Sequence, residues 1–192
     1  MKNVAILLEE MHNEHELWYP YWRLQEAGFK PLLVDTGRLK SYKGENGQLE
    51  AIPDKSAAAV KAGQLAGLVI PGGFGPDYLR RSEAVIKLVR DMDKAAKPIA
   101  VICHGGWLMI TADLLRGGRH ITGYKTLQID LTNAGGHWVD REVVVDKNIL
   151  SCRQPGDLPA FMPVFIEHLN MARPATSMGC QRRLDLLKLG FG

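Results

Sequence analysis

The sequence predicts a doubly wound α/β fold. Three observations carry this expectation: short Val/Ile/Leu runs without polar spacers, segments of helical periodicity between them, and glycine-bearing breaks directly after the runs. Such runs are buried on both faces, which a parallel sheet covered by helices requires; a sheet with one wet face would alternate polar and apolar residues.

The elements follow in order. Asn3 to Leu8 reads as a strand, and after a polar stretch the segment ELWYPYWRLQEAG from Glu16 to Gly28 places apolar residues at helical spacing, with Gly28 closing it. Pro31 to Asp35 is a second strand, and the polar stretch Thr36 to Gly47 is a loop or hairpin excursion. Ser56 to Lys61 suggests a short alanine-rich helix before a strand at Gly67 to Ile70, which Pro71-Gly72-Gly73 breaks sharply. From Asp77 a helix is expected through Ala96, interrupted near Arg81-Ser82. Pro98 to Ile102 is the next buried strand; it runs into Cys103-His104-Gly105-Gly106 and a helix WLMITADLLR that Gly117-Gly118 ends. A short strand at Ile121, a helix across Thr126 to Ala134, strands around Val145 and at Ile149 to Cys152, and a helix from Leu158 to about Met171 complete the chain's pattern. Ligands of such sheets collect at the carboxyl ends of the strands, so the loops after Leu8, Ile70 and Ile102 are expected to be neighbours.

Composition narrows the function. With 192 residues and 46% hydrophobic content, one core is expected. Basic residues exceed acidic ones only by 24 to 21 and are scattered, which leaves no stripe for nucleic acid or an anionic membrane surface. Cys103, Cys152 and Cys180 are odd in number and lack a C-x-x-C pair, which argues against a disulfide framework and a structural zinc site. The first apolar run is too short for a signal segment, and no run approaches the ~20 residues that span a bilayer. A cytoplasmic protein is the expectation.

Cys103 is the candidate nucleophile because it follows a buried strand, begins a helix and is flanked by glycines that permit a sharp turn. A thiol at a helix N-terminus should ionise below its ordinary value; the bland alternative is an inert buried cysteine. Gly72 and Gly73 can turn backbone N–H groups toward the same point and resemble an oxyanion hole, although a plain tight turn gives the same residues. His104 adjoins the nucleophile, yet neighbours at a helix start point about 100° apart, so it need not touch the sulfur. Glu16, past the end of the first strand, can reach a thiolate as a carboxyl partner, with Glu9, Glu10 and Glu14 competing on proximity alone. His12, His15 and Glu16 form H-x-x-H-E, which matches no zinc-hydrolase template, so surface histidines and no metal are expected. Val101 stands where an α/β-hydrolase or glutamine amidotransferase elbow needs glycine, and no His-x-Glu pair follows. Cys152 and Cys180 are expected to be dispensable for chemistry.

With AVICHGG (100–106), ELWYPYWRLQEAG (16–28), VIPGG (69–73) and NAGGHWVDREVVVD (133–146) together, the sequence resembles the ThiJ/PfpI superfamily, nearest the branch called PfpI-type intracellular proteases. The resemblance implies a flavodoxin-like, mainly parallel sheet sandwiched by helices, one domain over 1–169 and an extension over 170–192. It also implies Cys103 as nucleophile, Glu16 as its carboxyl partner, and oxyanion N–H donors from Gly72 or Gly73 and from His104, the residue after the cysteine. Tyr124 would bind substrate or donate a proton, and His104 would pair with a carboxylate of a neighbouring subunit in a homo-oligomer, dimer or hexamer. Asn13 stands where several relatives carry a further acidic residue, which departs from a two-carboxylate mechanism. The activity implied is a cofactor-independent glyoxalase or deglycase acting on small 2-oxoaldehydes or their adducts. The alternatives are an intracellular cysteine peptidase and a non-catalytic redox-sensing or chaperone-like stress protein. In the extension, RRLDLLKL could form a short amphipathic helix.

Overall fold

A computed structural model describes residues 1–172, and in it a seven-stranded sheet lies between two layers of helices. The strands are β1 (Asn3–Leu7), β2 (Lys30–Asp35), β3 (Tyr42–Lys43), β4 (Glu50–Ala51), β5 (Lys55–Ser56), β6 (Leu65–Ile70), β7 (Ile99–Ile102), β8 (His120–Ile121), β9 (His137–Trp138), β10 (Val144–Asp146) and β11 (Ile149–Cys152). The helices are α1 (Glu14–Glu26), α2 (Gly75–Leu79), α3 (Glu83–Lys94), α4 (Gly106–Thr111), α5 (Gln128–Asn133) and α6 (Leu158–Met171).

The sheet order is β10-β11-β7-β6-β1-β2-β5, and every pairing is parallel except β10 with β11. Its five longest strands, β2-β1-β6-β7-β11, follow the 2-1-3-4-5 order of flavodoxin-like sheets, whose switch point lies between the first and third strands, here β1 and β6. The two faces carry separate cores. One packs Leu68, Ile70, Ile99, Val101 and Ile149 against α3, α4 and α5; the other packs Val69, Ala100, Ile102, Leu150 and Cys152 against α1 and α6, with Phe161 and Phe165 stacked beneath the sheet. Strict alternation between these cores along each strand explains the unbroken apolar runs: both faces are interior.

Helix limits reflect caps. Asn13 caps α1, and Gly28, at φ +79°, closes it through bonds from Gly28 N–H to Gln25 O and Phe29 N–H to Leu24 O. The expected break near Arg81-Ser82 is present, with Ser82 capping α3. Three expectations need correction. Ser56 to Lys61 forms only one 3₁₀ turn, at 57–59. The helix after Cys103 ends at Thr111, not at Gly117, because Asp113 takes the left-handed conformation (φ +60°) and Leu114 N–H closes on Met109 O. A 3₁₀ turn, Cys103–Gly105, separates β7 from α4, so Cys103 does not open an α-helix. The excursion after β2 contains the β3–β4 hairpin, and β8 pairs with β9 beside the main sheet. Helix α6 runs two residues past the boundary expected at 169, while Cys180 and RRLDLLKL lie outside the described residues. Among the described residues no helix is long and apolar enough to cross a membrane.

Candidate active site

The loops after β1, β6 and β7 meet at the switch point, as the strand order requires. Asn13 anchors the first loop: its side chain accepts bonds from the backbone N–H groups of His15 (3.1 Å) and Glu16 (3.3 Å), and its own N–H donates to Gly72 O (3.2 Å). Glu16 holds the third helical position, where a capping-box glutamate would reach back to the cap's N–H. Here its carboxylate turns outward from the helix and accepts the Gly72 N–H at 2.6 Å. Gly72 is thus held at both its N–H and its carbonyl by one helix start.

Cys103 lies on the far side of Gly72. A side chain at Gly72 would place its Cβ 2.6 Å from Glu16 Oε2, 2.7 Å from Cys103 Cβ and 2.8 Å from the His104 nitrogen, so only glycine fits between carboxyl and elbow. Gly105 is equally constrained, since a Cβ there would lie 2.7 Å from Ile70 O. Cys103 itself has φ +55°, a left-handed backbone that L-residues pay for, and this kink turns its side chain onto the same face as Ile102 instead of the opposite one. The backbone N–H groups of His104 and Gly73 point to the sulfur, and Glu16 is its carboxyl neighbour. Gly72, with its N–H committed to Glu16, leaves Gly73 as the glycine whose N–H faces Cys103.

Electrostatics depart from the sequence expectation. Burial first, then the charge of Glu16, push the Cys103 thiol above its ordinary value, against the smaller lowering effect of the His104 N–H. The shift runs opposite to the expected lowering because burial penalises the thiolate and because the Glu16 carboxylate stands beside it. Glu16 is fully buried, and burial raises it from 4.5 to about 7, with the Gly72 N–H and the Cys103 side chain opposing the rise. Its Oε1 makes no hydrogen bond of standard geometry, leaving the Cys103 thiol as the group placed to share a proton with it. Carboxyl and thiol therefore titrate as a pair.

His104 does reach the sulfur: Nδ1 lies 3.3 Å from Sγ, and burial lowers its pKa, so the ring is neutral near pH 7. Its ring packs between Trp107 (5.1 Å between centroids) and Tyr124 (5.0 Å). Tyr124 is exposed and is held by its N–H on Cys103 O (3.3 Å); two residues earlier, the Thr122 N–H donates to the buried Ser151 Oγ (2.9 Å). Sequence reasoning missed Trp107 and Phe74, which continue the aromatic wall, and it missed the capping role of Asn13, whose spacing to Glu16 was a legible capping signal.

The competing carboxylates are spoken for. Glu9 is buried against Arg38 (2.9 Å) and Thr36, and Glu14 accepts from Asn46 N (3.0 Å) and Nδ2 (3.0 Å), bracing the β3–β4 hairpin. Glu10 receives Lys43 N–H (3.0 Å). His12, expected at the surface, is buried, with Nδ1 on Glu9 O (2.9 Å), while His15 is exposed; the two diverge. Among the described residues no group of three metal-type ligands converges. Cys152 is buried at the end of β11.

The model of the DJ-1/PfpI family matches residues 2–168. The chain is 37% identical over 161 residues to protein/nucleic acid deglycase 2 of Escherichia coli, covering 83% of this chain and 93% of that one. It is 38% identical over 156 residues to deglycase PfpI of Pyrococcus furiosus, covering 80% and 91%. A crystal structure of a two-domain protein from Anabaena variabilis, containing DJ-1/ThiJ/PfpI-like and ferritin-like domains, superposes with a TM-score of 0.85 at 33% identity, covering 93% of this chain and 52% of that one.

Proposed function

The chain belongs to the DJ-1/PfpI family, and we propose that it is a cofactor-independent cysteine enzyme of the deglycase and glyoxalase type, acting on small 2-oxoaldehydes or their adducts. One observation carries this reading: the Cys103 sulfur stands between a protonatable carboxyl, Glu16, and two backbone N–H groups, those of His104 and Gly73.

The steps follow from that arrangement. Glu16 takes the thiol proton as the sulfur adds to the aldehyde carbon, and the new oxyanion is held by the backbone N–H groups. Glu16 returns that proton to the oxyanion, which completes the hemithioacetal, and the freed carboxylate then takes the proton of the former aldehyde carbon and delivers it to the neighbouring carbon, which converts the hemithioacetal into a thioester of a 2-hydroxy acid. Water cleaves the thioester and restores the thiol. With an adduct on an amine, expulsion of the amine accompanies the same sequence. A carboxyl held near 7 can both accept and return a proton at neutral pH. The aromatic rings of Trp107 and Tyr124 flank His104, whose Nδ1 touches the sulfur, and such a wall suits a small planar carbonyl compound.

Peptide hydrolysis is the second reading, favoured by the 3.3 Å approach of His104 Nδ1 to Sγ, from which an amine leaving group can be protonated. Within either reading the protein acts in the cytoplasm as a homo-oligomer. The test is turnover of methylglyoxal, glyoxal and a fluorogenic peptide by purified protein, beside a Cys103→Ser variant. Formation of 2-hydroxy acid that Cys103→Ser abolishes is expected; turnover surviving in that variant, or no product from either aldehyde, overturns the proposal. Peptide cleavage alone moves the assignment to the second reading.

A further inference from the structure

Cys152 has no part in the steps above, yet its position is specific. It is the register partner of Ile102 at the end of β11, the residue immediately before Cys103, and Ile102 is extended (φ −117°, ψ 131°). Neighbouring strands lie about 4.8 Å apart and each residue advances about 3.3 Å, so the Cα atoms of Cys152 and Cys103 are about 6 Å apart. A disulfide spans Cα separations of roughly 4.4–6.8 Å. Ordinary alternation would send the two side chains to opposite faces of the sheet. The left-handed kink at Cys103 cancels it, and both sulfurs lie in the core shared with α1 and α6. A charge on Cys103 is felt at Cys152.

We propose that Cys103 and Cys152 form a redox pair, in which a hydroperoxide oxidises Cys103 and Cys152 then traps the product as an intramolecular disulfide. In the first step the Cys103 sulfur attacks the peroxide, the O–O bond breaks, one oxygen stays on sulfur as a sulfenic acid, and the other leaves as alcohol or water with the thiol proton. In the second, the Cys152 sulfur displaces that hydroxyl group, which departs as water with the Cys152 proton. Two thiols lose two electrons and the peroxide gains them; a dithiol reverses the change. Cys152 is fully buried, Cys103 is the other free cysteine among the described residues, and burial favours the neutral thiol of Cys152. The pair would spare Cys103 from irreversible oxidation to sulfinic or sulfonic acid. The inference rests on Cys103 as the reactive thiol of the proposed function.

The test uses the full chain and a Cys180→Ser chain, each treated with two equivalents of hydrogen peroxide per chain, enough for a sulfinic acid if nothing traps the sulfenic acid, then blocked with an alkylating agent and digested with trypsin. The expected product joins peptide 148–153 to the Cys103 peptide 95–116, two hydrogens lighter than their sum, and disappears with dithiothreitol as turnover returns. In Cys152→Ala, thermally as stable as its parent or not, the same dose should drive Cys103 to sulfinic acid and leave activity unrecovered by dithiothreitol. Cys103 sulfinic acid with unmodified Cys152 in the Cys180→Ser chain, or a Cys103–Cys180 bond as the sole cross-link, overturns the proposal. A protein that turns over 2-oxoaldehydes without forming the cross-link refutes the redox pair alone, and a cross-link without turnover refutes the proposed enzyme alone.

Discussion

Replacing Glu16 with glutamine separates what the carboxyl does for chemistry from what it costs the fold. In the folded chain Glu16 keeps its proton up to about 7, whereas an ordinary glutamate releases it near 4.5. Between those values the folded state binds more protons than the unfolded one, so stability is full below 4.5 and is lost as pH rises through about 7. The loss amounts to about 3 kcal/mol once Glu16 is ionised. Glutamine presents an oxygen of the same shape to the Gly72 N–H and cannot ionise, so Glu16→Gln should gain up to that amount over the parent at pH 7.5 and nothing at pH 4. Urea unfolding of both proteins across pH 4 to 8 reads the difference directly. The same variant should lose about 10²- to 10⁴-fold in kcat on a 2-oxoaldehyde, the range of a general acid/base. The matched control is His15→Gln, an exposed neighbour; Glu14 is unsuitable because it braces Asn46. A stability difference independent of pH would refute the burial argument, and undiminished turnover would remove the proton shuttle.

Three further outcomes follow from the geometry. Cys103→Gly and Cys103→Ala should both lack turnover, but the glycine variant should be the more stable by about 1 kcal/mol in urea unfolding, because it alone accepts φ +55° without strain. Gly105→Ala should lower stability by about 1–3 kcal/mol, since its Cβ meets Ile70 O at 2.7 Å; thermal unfolding of Gly63→Ala, with nothing within 4 Å, serves as the neutral comparison. His104→Gln should leave the acid limb of the pH–rate profile near 7, because that limb belongs to the Glu16–Cys103 pair while burial keeps His104 uncharged there; a displaced limb would reveal a thiolate–imidazolium pair instead.

The sheet was legible because both its faces are interior: Val4 to Leu8, Leu68 to Ile70 and Ile99 to Ile102 have no polar side to obscure them. The meeting of Glu16, Gly72 and Cys103 followed from strand order and from the resemblance. What sequence could not supply was long-range packing. Asp113 and Ala96 end helices in left-handed conformations usually left to glycine, so a search for glycine overran the first. His12 looks like a surface residue among polar neighbours, yet β-bridges to Gly44 and Gly73 bury it. The direction of the Cys103 shift comes from burial first and then from a carboxylate eighty-seven positions earlier in the chain, neither of which a local pattern announces. The same is true of Cys152, an unremarkable strand residue until the register sets it beside the elbow.

The kink at Cys103 also bears on how such a protein can change over generations. At this position the substitution most relieving to the backbone is glycine, which has no nucleophile, so drift toward stability and loss of chemistry run along a single mutational path. Serine and threonine keep a hydroxyl but inherit the strained backbone without the softer sulfur. A lineage released from selection on turnover would therefore be expected to retain Gly72, Gly105 and the fold while surrendering the thiol. Glycine at 103 above an otherwise intact elbow would be the fingerprint of a descendant that has stopped being an enzyme.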